Sequence, residues 1–450
     1  MSRMLLKCLV PALLVAAALY WLADRAVLGA QAYLFGYPLV IMDVTRANAA
    51  LTLGPENQLH RVREFPGASF KDVVRPNVDT LYTTAFIDMD KGPWVFEMGP
   101  NRLRYEVMPF MNAWTDVFAA PGTRSTGTSG GRFLLAGPAW QGQLPEGMTL
   151  LRSSTRIVWL IGRTQTNGPS DYALVHRLQD GIRLRSLSDW QAGRDPAPTP
   201  WHSAAIRPAP PIEQMKSMTS EDFFTRLAGL MVANPTNAAD ALMLAQLARI
   251  GIVPGQPPHW DLLDRWSLRL GRVMADWGVA RELSKSRDLV RGWSTPPAVL
   301  GHYGTAYNTR AAVAMVGLGA NLPADAIYPN ATVDGAGRAL HGSHHYRMHF
   351  GVGELPPVKA FWSITAYDAH DFFIDNPLHR HALGDRDPLV FNVDGSLDIL
   401  VQADPPHAQR QSNWLPVQAG APFLLNARLY WPKDAALNGA WGMAAVERVD

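Results

Sequence analysis

Hydrophobic and polar positions fall into successive regimes along the chain. Residues 9–22 form an uncharged apolar run of about 14 residues, preceded by Arg3 and Lys7 and closed by Asp24 and Arg25. That order fits the hydrophobic region of an export signal and falls short of the roughly 20 residues that span a bilayer comfortably. The nearest small-residue cleavage site, Leu28-Gly29-Ala30, carries an unfavourable leucine. Residues 1–30 are therefore predicted to be a signal peptide or, if uncleaved, an N-terminal membrane anchor, with a buried first helix as the plain alternative.

From about Val40 to Leu187 short extended runs alternate with Gly, Pro and Asn turns. The candidate strands are 80–87, 94–98, 105–118, 132–136, 155–163 and 182–187, and Ile157, Trp159 and Ile161 alternate as on a half-buried strand. Short connections predict mostly antiparallel pairing and a β-sandwich over residues 31–190. A Pro-rich stretch, 191–217, reads as a linker. Helical pattern fills 218–325: Thr219 and Asp222 resemble a capping box, and Phe223, Phe224, Leu227, Leu230 and Met231 share one helical face. Strands return in 326–450, where many short runs and long connections suit a jelly roll or similar sandwich. The fold expected is mainly β with a helical insert.

Composition narrows the function classes. A net charge of +2 over 450 residues, with no basic run, excludes nucleic acid as a partner. The single cysteine, Cys8, lies inside the leader, so an exported chain must rely on burial without a disulfide. Low charge (18%) with 37 Gly, 35 Pro and 15 Trp points to a turn-rich β protein.

Candidate chemistry comes from polar side chains at alternate positions of extended runs. Arg75, Asn77 and Asp79 are predicted to share one strand face, and Asn112, Trp114 and Asp116 another. In the C-terminal region Asn426, Arg428 and Tyr430 alternate with apolar neighbours, as do Ser363, Thr365 and Tyr367. Guanidinium, amide and carboxylate groups together can bind a polar substrate or position a water, with Asp79 as base. The plainer readings are an Arg75–Asp79 ion pair at a strand edge and ordinary solvent faces. Within 341–349, His345 and His349 on one strand would stand roughly 13 Å apart. Spacing does not require His344 to join the distant His302, His379 or His381, so no metal site is predicted. The glycine-rich stretch Gly127-Thr128-Ser129-Gly130-Gly131-Arg132 has no helical pattern after it and reads as a hairpin turn rather than a nucleophile elbow or a phosphate-binding loop, and the mature region has no cysteine.

Ordered motifs in both halves resemble a bacterial pairing of two domain-of-unknown-function families, numbered 1254 and 1214. The N-terminal half carries Phe35-Gly36-Tyr37-Pro38, Asn57-Gln58-Leu59-His60, the stretch 70–82, the stretch 108–116 and Trp159-Leu160-Ile161-Gly162-Arg163. The C-terminal half carries Leu355-Pro356-Pro357, Phe361-Trp362-Ser363, Asn376-Pro377-Leu378, Asp394-Gly395-Ser396-Leu397, Asn413-Trp414-Leu415-Pro416 and Leu429-Tyr430-Trp431-Pro432. The resemblance implies an immunoglobulin-like N-terminal sandwich, a helical segment and a C-terminal jelly-roll-like domain. It implies no settled activity and transfers no catalytic role.

The leading expectation is a periplasmic or envelope-located, hydrolase-like enzyme acting on a small polar or amphiphilic organic molecule between the two β domains. Asp79 and Tyr367 are the catalytic candidates, and Arg75, Asn77, Asn112, Asp116, Asn413, Arg428 and Tyr430 the binding candidates. No cofactor is assigned. The rival expectation is a non-catalytic binding or assembly protein of the envelope, membrane-held if uncleaved and open to forming a homo-oligomer.

Overall fold

The structure, a computed structural model, describes residues 3–71, 74–195, 197–204, 207–285, 289–294 and 297–450, with side chains from residue 12 onward apart from 284 and 285. Pro196 of the expected linker, and Asp72 and Val73 of the 70–82 motif, lie outside the described residues, as do the side chains of Arg3, Lys7 and Cys8.

One helix, Arg3–Thr52, holds both the expected leader and the following 22 residues. Its residues 12–20 are exposed, whereas 32–44 are buried on every side. Complete burial removes the 3.6-residue periodicity by which a helix is recognised, so the extended pattern expected from Val40 gives way to helix. The first strand begins at His60. Gly36 stands mid-helix because a Cβ there would come within 2.4 Å of the Leu227 side chain.

Around the helix pack Ser220–Ala233, Ala241–Arg249, Leu262–Lys285 and Tyr307–Val316, with Phe35, Leu39, Phe223, Phe224, Leu227, Leu247 and Leu268 in one core. Thr219 caps the first of these, its Oγ1 accepting from the Asp222 N–H at 3.1 Å. At the closest crossing, a Cβ on Gly271 would sit 2.6 Å from the Ala26 carbonyl oxygen. Only glycine lets these two backbones meet.

Two sheets follow in each half. In the N-terminal half a six-stranded sheet (His60–Arg61, Thr80–Asp88, Ile157–Gln165, Phe110–Asn112, Val117–Ala119, with Glu106–Val107 beside Ile157–Gln165) faces a four-stranded one (Arg183–Ser186, Trp94–Met98, Gly131–Ala136, Thr149–Arg152). Ala85, Phe96, Phe110, Phe133, Leu135, Val158 and Leu160 fill the space between them. In the C-terminal half, Val358–Asp368 and Phe423–Pro432 form the centre of a five-stranded sheet. It faces a four-stranded sheet across Met348, Trp362, Ile364, Ile399, Leu425 and Leu429. Pairing is antiparallel except between Gly131–Ala136 and Thr149–Arg152, and between Leu397–Gln402 and Trp414–Pro416.

Helix (32%) exceeds strand (23%), so the chain is mixed rather than mainly β. The difference lies in the N-terminal helix and in the helical segment that packs on it.

Candidate functional site

The segment before strand Thr80–Asp88 crosses from the N-terminal half onto the C-terminal five-stranded sheet. It is not the strand the alternating pattern predicts. Arg75 has φ +52°, and the Asn77 side chain folds the chain into a turn. Asn77 Oδ1 accepts from the N–H groups of Asp79 and Thr80, at 2.9 Å each, and its amide donates to the Tyr82 hydroxyl at 2.7 Å. A short amide side chain bonding the backbone two and three residues on is a recurrent turn device. The three polar side chains therefore do not share a strand face, and each is aimed by its own partners.

The turn delivers Asp79, 1% exposed, onto strands Val358–Asp368 and Phe423–Pro432. Ser363 Oγ donates to Asp79 Oδ2 at 2.7 Å, and the Arg386 guanidinium pairs with Oδ1. Arg386 also donates to the Thr166 carbonyl at 2.8 Å and lies 4.1 Å over the Phe361 ring. Beside it Arg428 donates to Thr365 Oγ1 at 2.7 Å, to the Tyr367 hydroxyl at 2.5 Å and to the Arg75 carbonyl at 3.0 Å. The Tyr367 hydroxyl in turn donates a hydrogen bond to the Pro76 carbonyl. Tyr430 is buried with its ring 4.3 Å from Phe361.

Asp79, Tyr367, Arg428 and Tyr430, drawn from both halves, thus converge in one enclosure. Burial works against the Arg428 charge, and Tyr367, Tyr430 and Asp79 more than offset it, holding its pKa above the ordinary arginine value. Burial pushes the Tyr367 phenol up, with Arg428 pulling it partly back. Asp385, whose N-terminal neighbour Gly384 pairs with Ser363, accepts from the Trp362 N–H at 3.2 Å and is pushed up to about 6 by burial. Its residue keeps an exposed flank.

The other candidates divide. Arg75 lies at the rim, bonded to Asp371 at 2.8 Å and to Asn330 Oδ1 at 3.2 Å. Asn413 is fully buried, but its amide is engaged by the Val390 backbone and the Asp398 carbonyl within the other C-terminal sheet. Asn112 and Asp116 sit elsewhere. Asn112 pairs with Val158, whereas the Asp79 carbonyl accepts from Thr166 N–H. Eight residues along that strand separate the two by about 26 Å at 3.3 Å per residue. Asp116 instead accepts from Tyr303 N–H at 3.1 Å, and burial raises its pKa.

Sequence reasoning missed Arg386, which closes the enclosure. The signal was the charged run Asp385-Arg386-Asp387 directly after the apolar Ala382-Leu383-Gly384. Two surface cavities, of about 240 and 400 Å³, lie on the N-terminal half and contain none of the converging residues. Among the described residues no three His, Cys, Asp or Glu side chains gather as a metal-ligand set.

Comparison with known proteins accounts for both halves of the enclosure. The family model described as "Protein of unknown function (DUF1254)" matches residues 56–186, and "Protein of unknown function (DUF1214)" matches 325–434. The chain carries the two matches in this order, DUF1254 in its N-terminal half and DUF1214 in its C-terminal half. Asp79 lies in the first matched span, and Ser363, Tyr367, Arg386, Arg428 and Tyr430 in the second, so the enclosure is the seam between the two family domains. The N-terminal helix and most of the helical segment lie outside both. A crystal structure of the VPA0106 protein from Vibrio parahaemolyticus, 24% identical, covers 95% of this chain and 100% of its own with a TM-score of 0.70. The two share a fold. A crystal structure of an uncharacterised protein from Burkholderia cenocepacia, 13% identical over 97% of this chain and 98% of its own, has a TM-score of 0.44. No curated protein matches the chain.

Proposed function

We propose that this DUF1254–DUF1214 protein is a periplasm-facing envelope protein held in a membrane by its uncleaved N-terminal helix. In this reading an immunoglobulin-like and a jelly-roll-like sandwich are locked into one rigid, non-catalytic unit for binding or assembly. The observation that carries it is the closure of the Asp79 enclosure by the chain's own side chains. A general base must be within reach of a substrate or water, whereas Asp79 is 1% exposed and its two oxygens face Ser363 and Arg386. Arg428 is likewise spent on Thr365, Tyr367 and the 75–76 backbone.

Anchoring is supported by the helix itself. Leu13, Leu14, Val15, Leu19 and Tyr20 are exposed, yet the same helix continues without a break into the core at Ala26, Leu28 and Ala30. Cleavage after Ala30 would discard residues that pack on Gly271 and Leu268, which favours retention.

A hydrolytic reading draws its own support from Asp385. A carboxyl raised to about 6 beside an arginine is suited to proton transfer near neutrality. The two readings separate in one experiment. Full-length protein in vesicles is incubated with pooled esters, amides and phosphoesters, alongside Asp385→Asn. A non-catalytic unit leaves every compound intact; consumption that disappears in the variant overturns that reading and establishes the hydrolytic one.

A further inference from the structure

The helix Leu262–Lys285 has two apolar faces. One, with Leu268, Gly271, Ala275 and Val279, is buried against the N-terminal helix and its neighbours. The other points outward: Leu263, Trp266, Leu270, Val273 and Trp277 are all exposed, the two tryptophans at 61% and 76%, and Ala280 continues the line. The steps between these six positions alternate 3, 4, 3, 4, 3. That 3.5-residue period is the signature of a helix made to seat on another helix in a left-handed coil.

We propose that this seam joins two copies of the chain as a parallel two-helix coil. Orientation comes from the membrane anchor, so this point rests on the anchoring read above. The N-terminal helix runs parallel to Leu262–Lys285: Arg25 pairs with Asp264 at 3.2 Å, Gly29 lies against Leu268, and Leu34 lies 3.6 Å from a Gly278 Cβ position. Two copies anchored in one membrane therefore present their seams in the same direction.

Charge agrees with that arrangement. With Leu263, Leu270 and Trp277 at the first core position of each heptad, Asp276 takes the flanking position before the core and Arg281 the one after it. In a parallel coil these meet across the interface five residues apart, so Asp276 of each copy faces Arg281 of the other, twice by symmetry. The preceding flanking pair, Arg269 and Met274, opposes no like charges.

The two tryptophans offer on the order of 300 Å² per copy. Even with the aliphatic neighbours the stripe falls short of the roughly 800 Å² per partner of a stable soluble complex. Shared anchoring supplies the remainder by raising the effective concentration to the millimolar range.

The test uses the full chain in vesicles with Cys8→Ser and single cysteines introduced as Leu263→Cys, Leu270→Cys, Val273→Cys and, off the seam, Arg265→Cys. Mild oxidation is expected to give disulfide-linked dimer at all three seam positions and background only at Arg265. Equal yield at Arg265, no linkage anywhere, or linkage at one seam position alone, as an antiparallel pair gives, overturns the proposal. A Leu270→Glu variant is expected to weaken dimerisation at least tenfold while membrane partition persists. Quenching of tryptophan emission by brominated lipid in an unlinked protein that is lost in Trp266→Phe/Trp277→Phe, and so does not come from Trp21 of the anchor helix, assigns the face to lipid and also overturns it. Substrate turnover in vesicles would defeat the non-catalytic reading yet leave the cross-links in place, and loss of membrane partition would defeat the anchoring alone.

Discussion

Asp79→Asn removes one negative charge from a position 1% exposed while nearly preserving its shape. Asn can still accept from Ser363, so the transfer from polar to apolar is small and the loss is electrostatic. Arg386 and Arg428 are left beside it, the latter 4% exposed; Arg386 loses the carboxylate it pairs with and keeps only the electrostatic company of Asp385 and Asp387. Breaking a buried ion pair from one side costs roughly 3–5 kcal/mol because the remaining charge stays desolvated. With the Ser363 hydrogen bond retained, the lower end, about 3 kcal/mol, applies here. For a chain of 450 residues that lowers Tm by about 3 °C. Asp371→Asn, which breaks the half-exposed rim pair with Arg75 at 2.8 Å, is the control and should cost no more than about 1 kcal/mol. Thermal melts of both variants beside the parent read the contrast directly. If Asp79→Asn melts within 1 °C of the parent, or no lower than Asp371→Asn, the enclosure is not what joins the two halves.

Three further outcomes follow from other parts of the fold. Gly271→Ala puts a methyl 2.6 Å from the Ala26 carbonyl and should destabilise by about 2–3 kcal/mol, whereas Gly278→Ala, 3.6 Å from Leu34, should be neutral or mildly stabilising in the same melts. Burial raises the Glu106 pKa to about 7 from 4.5. The folded state then holds a proton that the unfolded state releases, so stability is full below about 4.5 and falls as pH rises toward 7. Glu106→Gln should abolish that fall, worth on the order of 3 kcal/mol above pH 7, as seen in Tm against pH. Deleting residues 1–21 should leave a folded protein that no longer partitions into vesicles, whereas deleting residues 1–30 also removes buried Ala26, Leu28 and Ala30 and should lower Tm by several degrees more.

The elements that alternate between a buried and a wetter face were legible in the sequence. Strand Ile157–Gln165 and helix Ser220–Ala233 with its Thr219 cap lie within a residue or two of where their patterns place them. The helix through 32–44 was not, because burial on all sides leaves no periodicity to read. At the enclosure, residue chemistry was legible and local geometry was not. Arg428 and Tyr367 were identifiable as polar side chains on otherwise apolar strands. Asn77 was mistaken for part of a polar strand face when its amide makes the turn that aims Asp79. The partnership of Asp79 with Ser363 and Arg386 spans about 300 positions of chain, and no local pattern encodes contacts of that range. Asn112 and Asp116 read from the same alternation as a second polar face of one pocket, and the length of one strand sets them apart from Asp79.

Amide hydrogen exchange across 79–82 and 363–367 tests most directly whether the seam is a closed lock or a cleft that opens. The Thr166 N–H bonded to the Asp79 carbonyl at 2.9 Å belongs to the same set. A closed lock requires these amides to exchange as slowly as the central core strands, through global unfolding alone. Exchange orders of magnitude faster than in Ile157–Gln165 would show the two halves parting in the native state and would contradict the rigid, non-catalytic unit.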